Sequence, residues 1–360
     1  MRIIHIVHGN AMGGAQRYAL DICRHYVERG HDVTALTRDA KGVDSQFAAA
    51  GIPLVHAPLR DYPDLFSSLT LKPLLRDAPR GETVVHVHRY RDALTAILAR
   101  RMAGRPDVRI IVTRHTSGAA KDNLLRRFIY RHVDDHIFVS EFSRRQFLSA
   151  WPHGRYPLDT AHLHVAFNSR NIATTPIPEP EKGAVTAMFH GTLRAGKGLD
   201  TLIRAMCLLK DTRLRLRIAG TGDPDYCDTL RRSAISLGVM DSIDWSRNLP
   251  DPASLIPLCH FGVLPSSVPE AFGMANIEYM AAGRPQICTF NGAQPEYLTP
   301  GIEAIEVPPS DPEALAAAMR RLYADKALRA EIGSAAARRY ADTLDWSHFI
   351  SRIDRIYAKT

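Results

Sequence analysis

"RIIHIVHGNAMGGAQRYALDICRHYVERGHDVTALT", residues 2–37, is the stretch on which the fold turns. "RIIHIVHG" is a short apolar run that reads as a strand. "GGAQRYALDICRHYVERG" carries its apolar residues at helical spacing and stops at Gly30. "HDVTALT" is a second strand. Strands that are apolar at successive positions are covered on both faces, and their alternation with helices implies a parallel sheet. The same order continues through "GIPLVHA", "ETVVHVH", the helix "RDALTAILARRMAG", the strand "RIIVTRH", the helix "KDNLLRRFIYRHV" and the strand "DHIFVS".

Near "VAFNSRNIATTPIPEPEKG", residues 165–183, the periodicity stops among prolines and turn-forming residues, as expected of a linker. Alternation then restarts with "AVTAMFHG" and runs through "LDTLIRAMCLLK", "LRLRIAGTG", "YCDTLRRSAISLG", "SIDW", "FGVLPS", "ANIEYMAAG", "PQICT", "EAIEVPP" and "PEALAAAMRRLYA". The organisation expected is a doubly wound α/β domain over 1–168, a linker over 169–184, a second such domain over 185–342, and a terminal amphipathic helix over 343–360. Two such domains place ligands in a cleft at the carboxyl ends of their strands.

Composition narrows the class. At 360 residues, with 45% apolar and 23% charged residues, each half can bury a full core. No apolar run approaches the roughly 20 residues that span a bilayer, and the chain begins on a strand with no signal-peptide layout, so a cytosolic protein is expected. Five scattered cysteines suit neither a disulfide framework nor a zinc site. His86 and His88 alternate on one strand face with no third ligand at metal spacing, so a structural role is expected of them. The net charge of +8 is localised: residues 89–155 hold fourteen Lys and Arg against six Asp and Glu. That excess points to an anionic partner or to solvated helix faces.

Three loops could carry chemistry. In "HGNAMGGAQ", Gly13 and Gly14 allow positive φ and close backbone approach where helix-start amides can meet an anion, although the dinucleotide fingerprint is missing. In "FHGTLRAGKGLDTLI", Arg194 and Lys197 sit over a helix start, a combination suited to a diphosphate. In "PSSVPEAFGMANIEYMAAGRP", Glu270 and Glu278 are eight residues apart, about 12 Å along a helix, too far to share a proton or a metal. Pro269 and Gly273 break the segment, leaving Glu270 on a loop and Glu278 on the helix that starts near Met274. The amides of Phe272, Gly273, Met274 and Ala275 lie between them at an anion-binding helix start. A carboxylate, an anion site and a second carboxylate fit an elongated ligand with hydroxyls at both ends, such as a nucleotide sugar.

This stretch resembles the E-x7-E motif of retaining glycosyltransferases with the GT-B fold, family 4 in particular. The resemblance extends to "GGAQ" (13–16), "HVH" (86–88), "TRH" (113–115), "VSEFSRR" (139–145), "GTLRAGKG" (191–198), "AGTGD" (219–223) and "GAQPEYL" (292–298). It implies that Glu270 contacts the donor sugar, Glu278 the ribose, and Lys197 the diphosphate. Phe272, Gly273, Met274 and Ala275 would meet sugar and phosphate through their backbone. His115 would lie beside the transferred sugar, Gly14 would approach the phosphates from the first domain, and the final helix would cross back to pack on the first domain.

The sequence departs from the family at Thr192, where arginine is usual; Arg194 can supply the cation from two positions on. "WSRNLPD", 245–251, replaces the usual glycine-containing base loop, and Asn168 stands where "N-G-V-D" is common. The resemblance implies metal-independent, front-face transfer of a hexose-type sugar from a nucleotide-diphosphate donor to a glycan or lipid-linked hydroxyl, as in cell-envelope polysaccharide or lipopolysaccharide synthesis. No cofactor is expected, and the helix over 121–132 could rest Arg126, Arg127 and Arg131 on an anionic membrane surface. Competing readings are a nucleotide-sugar epimerase or glycan phosphorylase on the same architecture. A nucleic-acid binder lacks a recognition motif here, and no nucleic acid is expected.

Overall fold

The computed structural model describes residues 1–60, 64–151, 159–172, 177–180, 183–247, 249 and 251–358, with the side chain of Arg247 excepted. The chain forms two compact units, Met1–Asn168 with Ser347–Thr360, and Ser169–Trp346.

In the first unit, β1 (Arg2–Ile6), α1 (Gly14–Glu28), β2 (Asp32–Thr37), α2 (Lys41–Ala49), β3 (Leu54–His56), α3 (Leu65–Arg76) and β4 (Thr83–Val87) follow one another. The unit continues with α4 (Tyr90–Met102), β5 (Arg109–Arg114), α5 (Leu124–His132), β6 (Asp135–Phe138), α6 (Glu141–Leu148) and β7 (Leu163–Val165). The strands lie parallel in the order β3-β2-β1-β4-β5-β6-β7. The chain winds outward from β1 in one direction and then returns to wind from β4 in the other. The crevice at the carboxyl ends of β1 and β4 is therefore the switch point where such sheets hold ligands. Ile4, Ile6, Val85, Val87, Ile110 and Val112 pack under α3 and α4, which accounts for the uninterrupted apolar strands.

The second unit repeats the plan with β8 (Thr186–His190), α7 (Leu199–Cys207), β9 (Arg215–Gly220), α8 (Pro224–Ser236), β10 (Ile243–Arg247) and β11 (Phe261–Leu264). It is completed by α9 (Met274–Ala281), β12 (Gln286–Cys288), β13 (Ile305–Glu306), α10 (Pro312–Ala324) and α11 (Lys326–Thr343). The parallel order is β10-β9-β8-β11-β12-β13, with the switch point between β8 and β11. Helix starts follow side-chain chemistry: Asp223, Asp311 and Asp325 each accept a hydrogen bond from an amide three residues on.

Two findings differ from the sequence reading. The final helix, α12 (Trp346–Tyr357), begins later than 343, and from Ser347 onward it belongs to the first unit, the domain onto which the family resemblance implies that it crosses back. There Asp354 accepts a hydrogen bond from Tyr26 Oη at 2.8 Å and pairs with Arg29 at 2.9 Å. In the stretch expected to be linker, Ser169 and Arg170 are buried in the second unit; the Arg170 carbonyl accepts from Tyr340 Oη at 3.3 Å, and Ser169 Oγ lies 3.3 Å from the same hydroxyl. Residues 173–176 and 181–182 of that stretch lie outside the described residues.

Candidate active site

At the switch point of the second unit, the loop after β8 carries Gly191 to Gly198 and the loop after β11 carries Pro265 to Gly273. Gly198, at φ +74°, caps α7, and a Cβ there would collide with the Pro265 carbonyl. Only glycine lets the two loops approach this closely. Ser267 N donates to Gly196 O at 3.0 Å and ties them together.

The contact brings two predicted residues into one place. Lys197 Nζ lies 2.6 Å from Glu270 Oε1, and Ser266 Oγ donates to the same oxygen at 2.5 Å. Both side chains are mostly buried yet open on one side, at 21% and 16% exposure. Phe272 is buried with its carbonyl taken by Tyr297 Oη, while Gly273, in the left-handed region, caps α9. Met274 and Ala275 form the first turn of α9, four and five residues after Glu270, and are partly exposed. Arg194 is exposed and makes no side-chain hydrogen bond among the described residues.

Glu278 is in a different environment. It is buried on α9, and both carboxylate oxygens are engaged: Arg170 Nη1 donates to one at 2.6 Å, and His190 Nε2 lies 2.6 Å from the other. Burial alone would raise its pKa, but the hydrogen bond and charge of His190 and those of Arg170 hold the carboxyl at about 2. Tyr279 Oη donates to Met188 O at 2.8 Å and lies 2.8 Å from His190 Nδ1, which fixes the imidazole from its other edge. A cavity of about 250 Å³ lies against this cluster, lined by Arg170, Asp251, Ser254, Pro257 and Glu278 among others.

In the first unit, Gly14 opens α1, but neither it nor Gly13 has positive φ. The residue that does is Gly9, at +150°, and a Cβ there would strike the Gln16 amide. Gln16 needs that space because it bridges the loop, accepting from Gly13 N at 3.1 Å and donating to His8 O at 2.6 Å.

His115 follows β5 and is half-buried at the end of a string of polar groups. Its Nε2 lies 3.2 Å from His88 Nδ1, and His88 Nε2 lies 3.1 Å from His5 Nδ1. Tyr357 Oη stands 3.4 Å from His5 Nε2 and 2.6 Å from His86 Nδ1. His86 Nε2 is 2.7 Å from Thr113 Oγ1, itself 3.2 Å from Tyr18 Oη. Burial lowers His5 and His115 to about 3, and desolvation with neighbouring imidazoles puts His86 and His88 well below the ordinary value.

The third imidazole that the spacing of His86 and His88 lacks comes from β1, whose His5 sits opposite His86 in the parallel register. One ring nitrogen from each of the three lies within 4.8 Å of the others. The hydrogen bonds above already engage both nitrogens of each ring.

Arg170, His190, Ser266, Tyr18 and His5 were not singled out in the sequence. Polar residues at the ends of apolar strands mark His5 and His190, but Arg170 sits in a proline-rich stretch with no periodicity. Part of the basic set over 89–155 is held in ion pairs, Arg100, Arg109 and Arg144 with Asp134, Asp135 and Glu141 at 2.7, 2.5 and 2.9 Å and Arg127 with Asp122, which leaves the net excess of eight cations in place. The expected base loop includes Asn248 and Pro250, which lie outside the described residues.

Among known proteins, the family described as "Glycosyl transferases group 1" matches residues 174–339, and "Glycosyltransferase Family 4" matches residues 12–166. The chain is 25% identical to a glycogen synthase of Mycobacterium tuberculosis, with 96% of this chain and 91% of that protein covered. It is 27% identical to a GDP-mannose-dependent alpha-(1-6)-phosphatidylinositol monomannoside mannosyltransferase of Mycolicibacterium smegmatis, covering 93% and 92%. Its fold matches Anabaena HepE, solved with UDP and glucose, at a TM-score of 0.84 and 16% identity over the whole of both chains.

Proposed function

Because the chain belongs to glycosyltransferase family 4, a family of GT-B enzymes, we propose that it moves a hexose-type sugar, with retention, from a nucleotide-diphosphate donor to a hydroxyl of a glycan or lipid-linked acceptor. The observation that carries this reading is the Lys197–Glu270 pair at the switch point of the second unit, with Glu270 four residues before the start of α9. The Lys197 ammonium is paired with Glu270 at 2.6 Å. A donor diphosphate on the amides of Met274 and Ala275 takes over Lys197 as counter-ion, which frees Glu270 to accept hydrogen bonds from sugar hydroxyls.

Chemistry then rests on position and charge. The bond between the anomeric carbon and the phosphate oxygen breaks as the acceptor oxygen bonds to the same face of that carbon. The acceptor proton passes to the departing phosphate. Lys197, Arg194 and the helix-start amides stabilise the charge that develops on the diphosphate, without a metal. Glu278 serves the ribose from a fixed position, because Arg170 and His190 hold both its oxygens while each keeps a lone pair for a ribose hydroxyl.

Reported binding of UDP by a structural neighbour and use of GDP-mannose by a relative make nucleotide sugars the ligands to test first. The acceptor falls to the first unit. On α5, Leu124 is 81% exposed and Leu125 40% exposed, next to Arg126 and Arg131, a face suited to the surface of an anionic membrane carrying a lipid-linked acceptor. The deciding experiment is a thermal-shift panel of UDP-, GDP-, ADP- and CMP-sugars. One of them is expected to raise the melting temperature of the wild type but not of Lys197→Ala, since a ligand of the native state stabilises it by mass action. No shift with any donor sinks the reading.

A further inference from the structure

We propose that a one-way chain of buried hydrogen bonds, running from Tyr18 through Thr113, His86, Tyr357, His5 and His88, holds His115 as its Nδ1–H tautomer, so that its open edge offers a hydrogen-bond donor and not a base. Each neutral imidazole or hydroxyl has one hydrogen to give, and each of the six links needs one donor and one acceptor. A neutral imidazole passes the direction on, because it accepts on one nitrogen and donates from the other; only the hydroxyls of Thr113 and Tyr357, with two lone pairs each, could accept from both sides.

Four arrangements are possible, differing in which group keeps the one hydrogen the six links do not use. In one, Tyr18 Oη donates to Thr113, Thr113 to His86 Nε2, His86 Nδ1 to Tyr357, Tyr357 to His5 Nε2, His5 Nδ1 to His88 Nε2, and His88 Nδ1 to His115 Nε2. The hydrogen left over is on His115 Nδ1. In the reverse direction the hydrogen left over is on the Tyr18 hydroxyl, and where the direction changes at Tyr357 or Thr113 that hydroxyl accepts from both sides and keeps the spare hydrogen itself.

The two ends of the chain are not equivalent. Tyr18 is 1% exposed, and among the described residues its hydroxyl has no partner but Thr113; the rings of His115 and Phe349 close around it. His115 is half-buried, and its Nδ1 meets no hydrogen-bond partner among the described residues. A spare hydrogen at His115 can reach water or a ligand, whereas one at Tyr18, Thr113 or Tyr357, which are 1%, 0% and 3% exposed, is buried with no further acceptor among the described residues. The first direction therefore prevails. Burial keeps all four imidazoles uncharged, so none donates from both nitrogens and reverses the chain partway.

The consequence for chemistry rests on the function proposed above. A donor at His115 Nδ1 suits a sugar or phosphate oxygen and is the wrong form to take a proton from an acceptor hydroxyl. His88, His5 and Tyr357 are then positioning residues that act through His115.

The test uses the full-length protein labelled with 15N-histidine, without ligand, near pH 8. Long-range proton–nitrogen spectra are expected to show a single His115 form with hydrogen on Nδ1. Tyr357→Phe or Thr113→Val removes one hydroxyl, leaves an unpaired group in either direction, and is expected to give a mixture of both tautomers. Thr113→Ser keeps the hydroxyl and the single form. Wild-type His115 protonated on Nε2 overturns the proposal, as does a single unchanged tautomer in both hydroxyl-deletion variants. Stoichiometric binding of zinc to His5, His86 and His88 overturns it too, since the metal would take their lone pairs. Because the tautomer is read without substrate, failure of every nucleotide sugar in a transfer assay sinks only the functional reading.

Discussion

The two units share an architecture but build their switch points from opposite materials. In the first, the crevice between β1 and β4 is backed by uncharged imidazoles and hydroxyls hydrogen-bonded in series. In the second, the crevice between β8 and β11 is set with opposite charges, Lys197 against Glu270 and Arg170 against Glu278, whose other oxygen is hydrogen-bonded to His190. A buried neutral chain fixes hydrogen positions without attracting ions. A partly open set of ion pairs can exchange a carboxylate for a phosphate. The contrast fits a polyanionic donor on the second unit and a hydroxyl acceptor on the first.

Glu278→Ala should break the comparison most severely. It takes the 2.6 Å carboxylate from buried Arg170 and leaves it Asp251 at 3.3 Å, at a cost of about 3 kcal/mol. Amide hydrogen exchange should show the loss in the second unit, while α4 of the first keeps its protection. Equal loss in both units would show that the ion cluster is not local to one of them.

Lys197→Ala and Glu270→Ala should each lower kcat/KM by roughly 100- to 1,000-fold with little change in melting temperature, because their pair is open on one side and its partners act on ligand charge. Turnover near wild type in either variant would move the site elsewhere.

Acid should separate the units by degree. His5 and His115, at about 3 in the native protein against an ordinary 6.5, stay neutral while the unfolded chain takes up protons. Their contribution is therefore full above pH 6.5 and declines as pH falls toward 3. Glu278, held at about 2 against 4.5, contributes fully above 4.5 and loses that contribution as pH falls toward 2. Exchange measured between pH 6.5 and 5 should weaken the first unit before the second. The reverse order would mean that the histidines are not neutral in the native state.

The smallest effect concerns α5. Leu124→Glu should reduce flotation with vesicles rich in anionic phospholipid by several-fold and leave transfer to a soluble acceptor unchanged. Undiminished flotation would remove α5 as the docking face.

Legibility in the sequence was uneven for physical reasons. Apolar runs and helical spacing disclose β1, α1, β4 and β8 because their burial pattern is local. Helix α11 hides because its buried face mixes Arg329 and three small residues, Gly333, Ala336 and Ala337, with only Ile332 and Tyr340 as large apolar groups, a pattern with little contrast. Gly333 is there for contact, since a Cβ would strike the Gly283 carbonyl. Arg170 hides for a different reason: its function comes from a partner 108 positions away.

The order of strands and helices, the glycine loops at their ends and the family motifs follow from the sequence alone, since each depends on neighbours a few residues apart. Only the tertiary structure decided which distant groups meet. Parallel register set His5 beside His86, loop contact set Lys197 on Glu270, and burial gave His190 and Arg170 to Glu278. The two glutamates lie on one short segment, yet one is poised to exchange its partner and the other is locked, because charge pairing and desolvation are fixed by neighbours that sequence distance does not reveal.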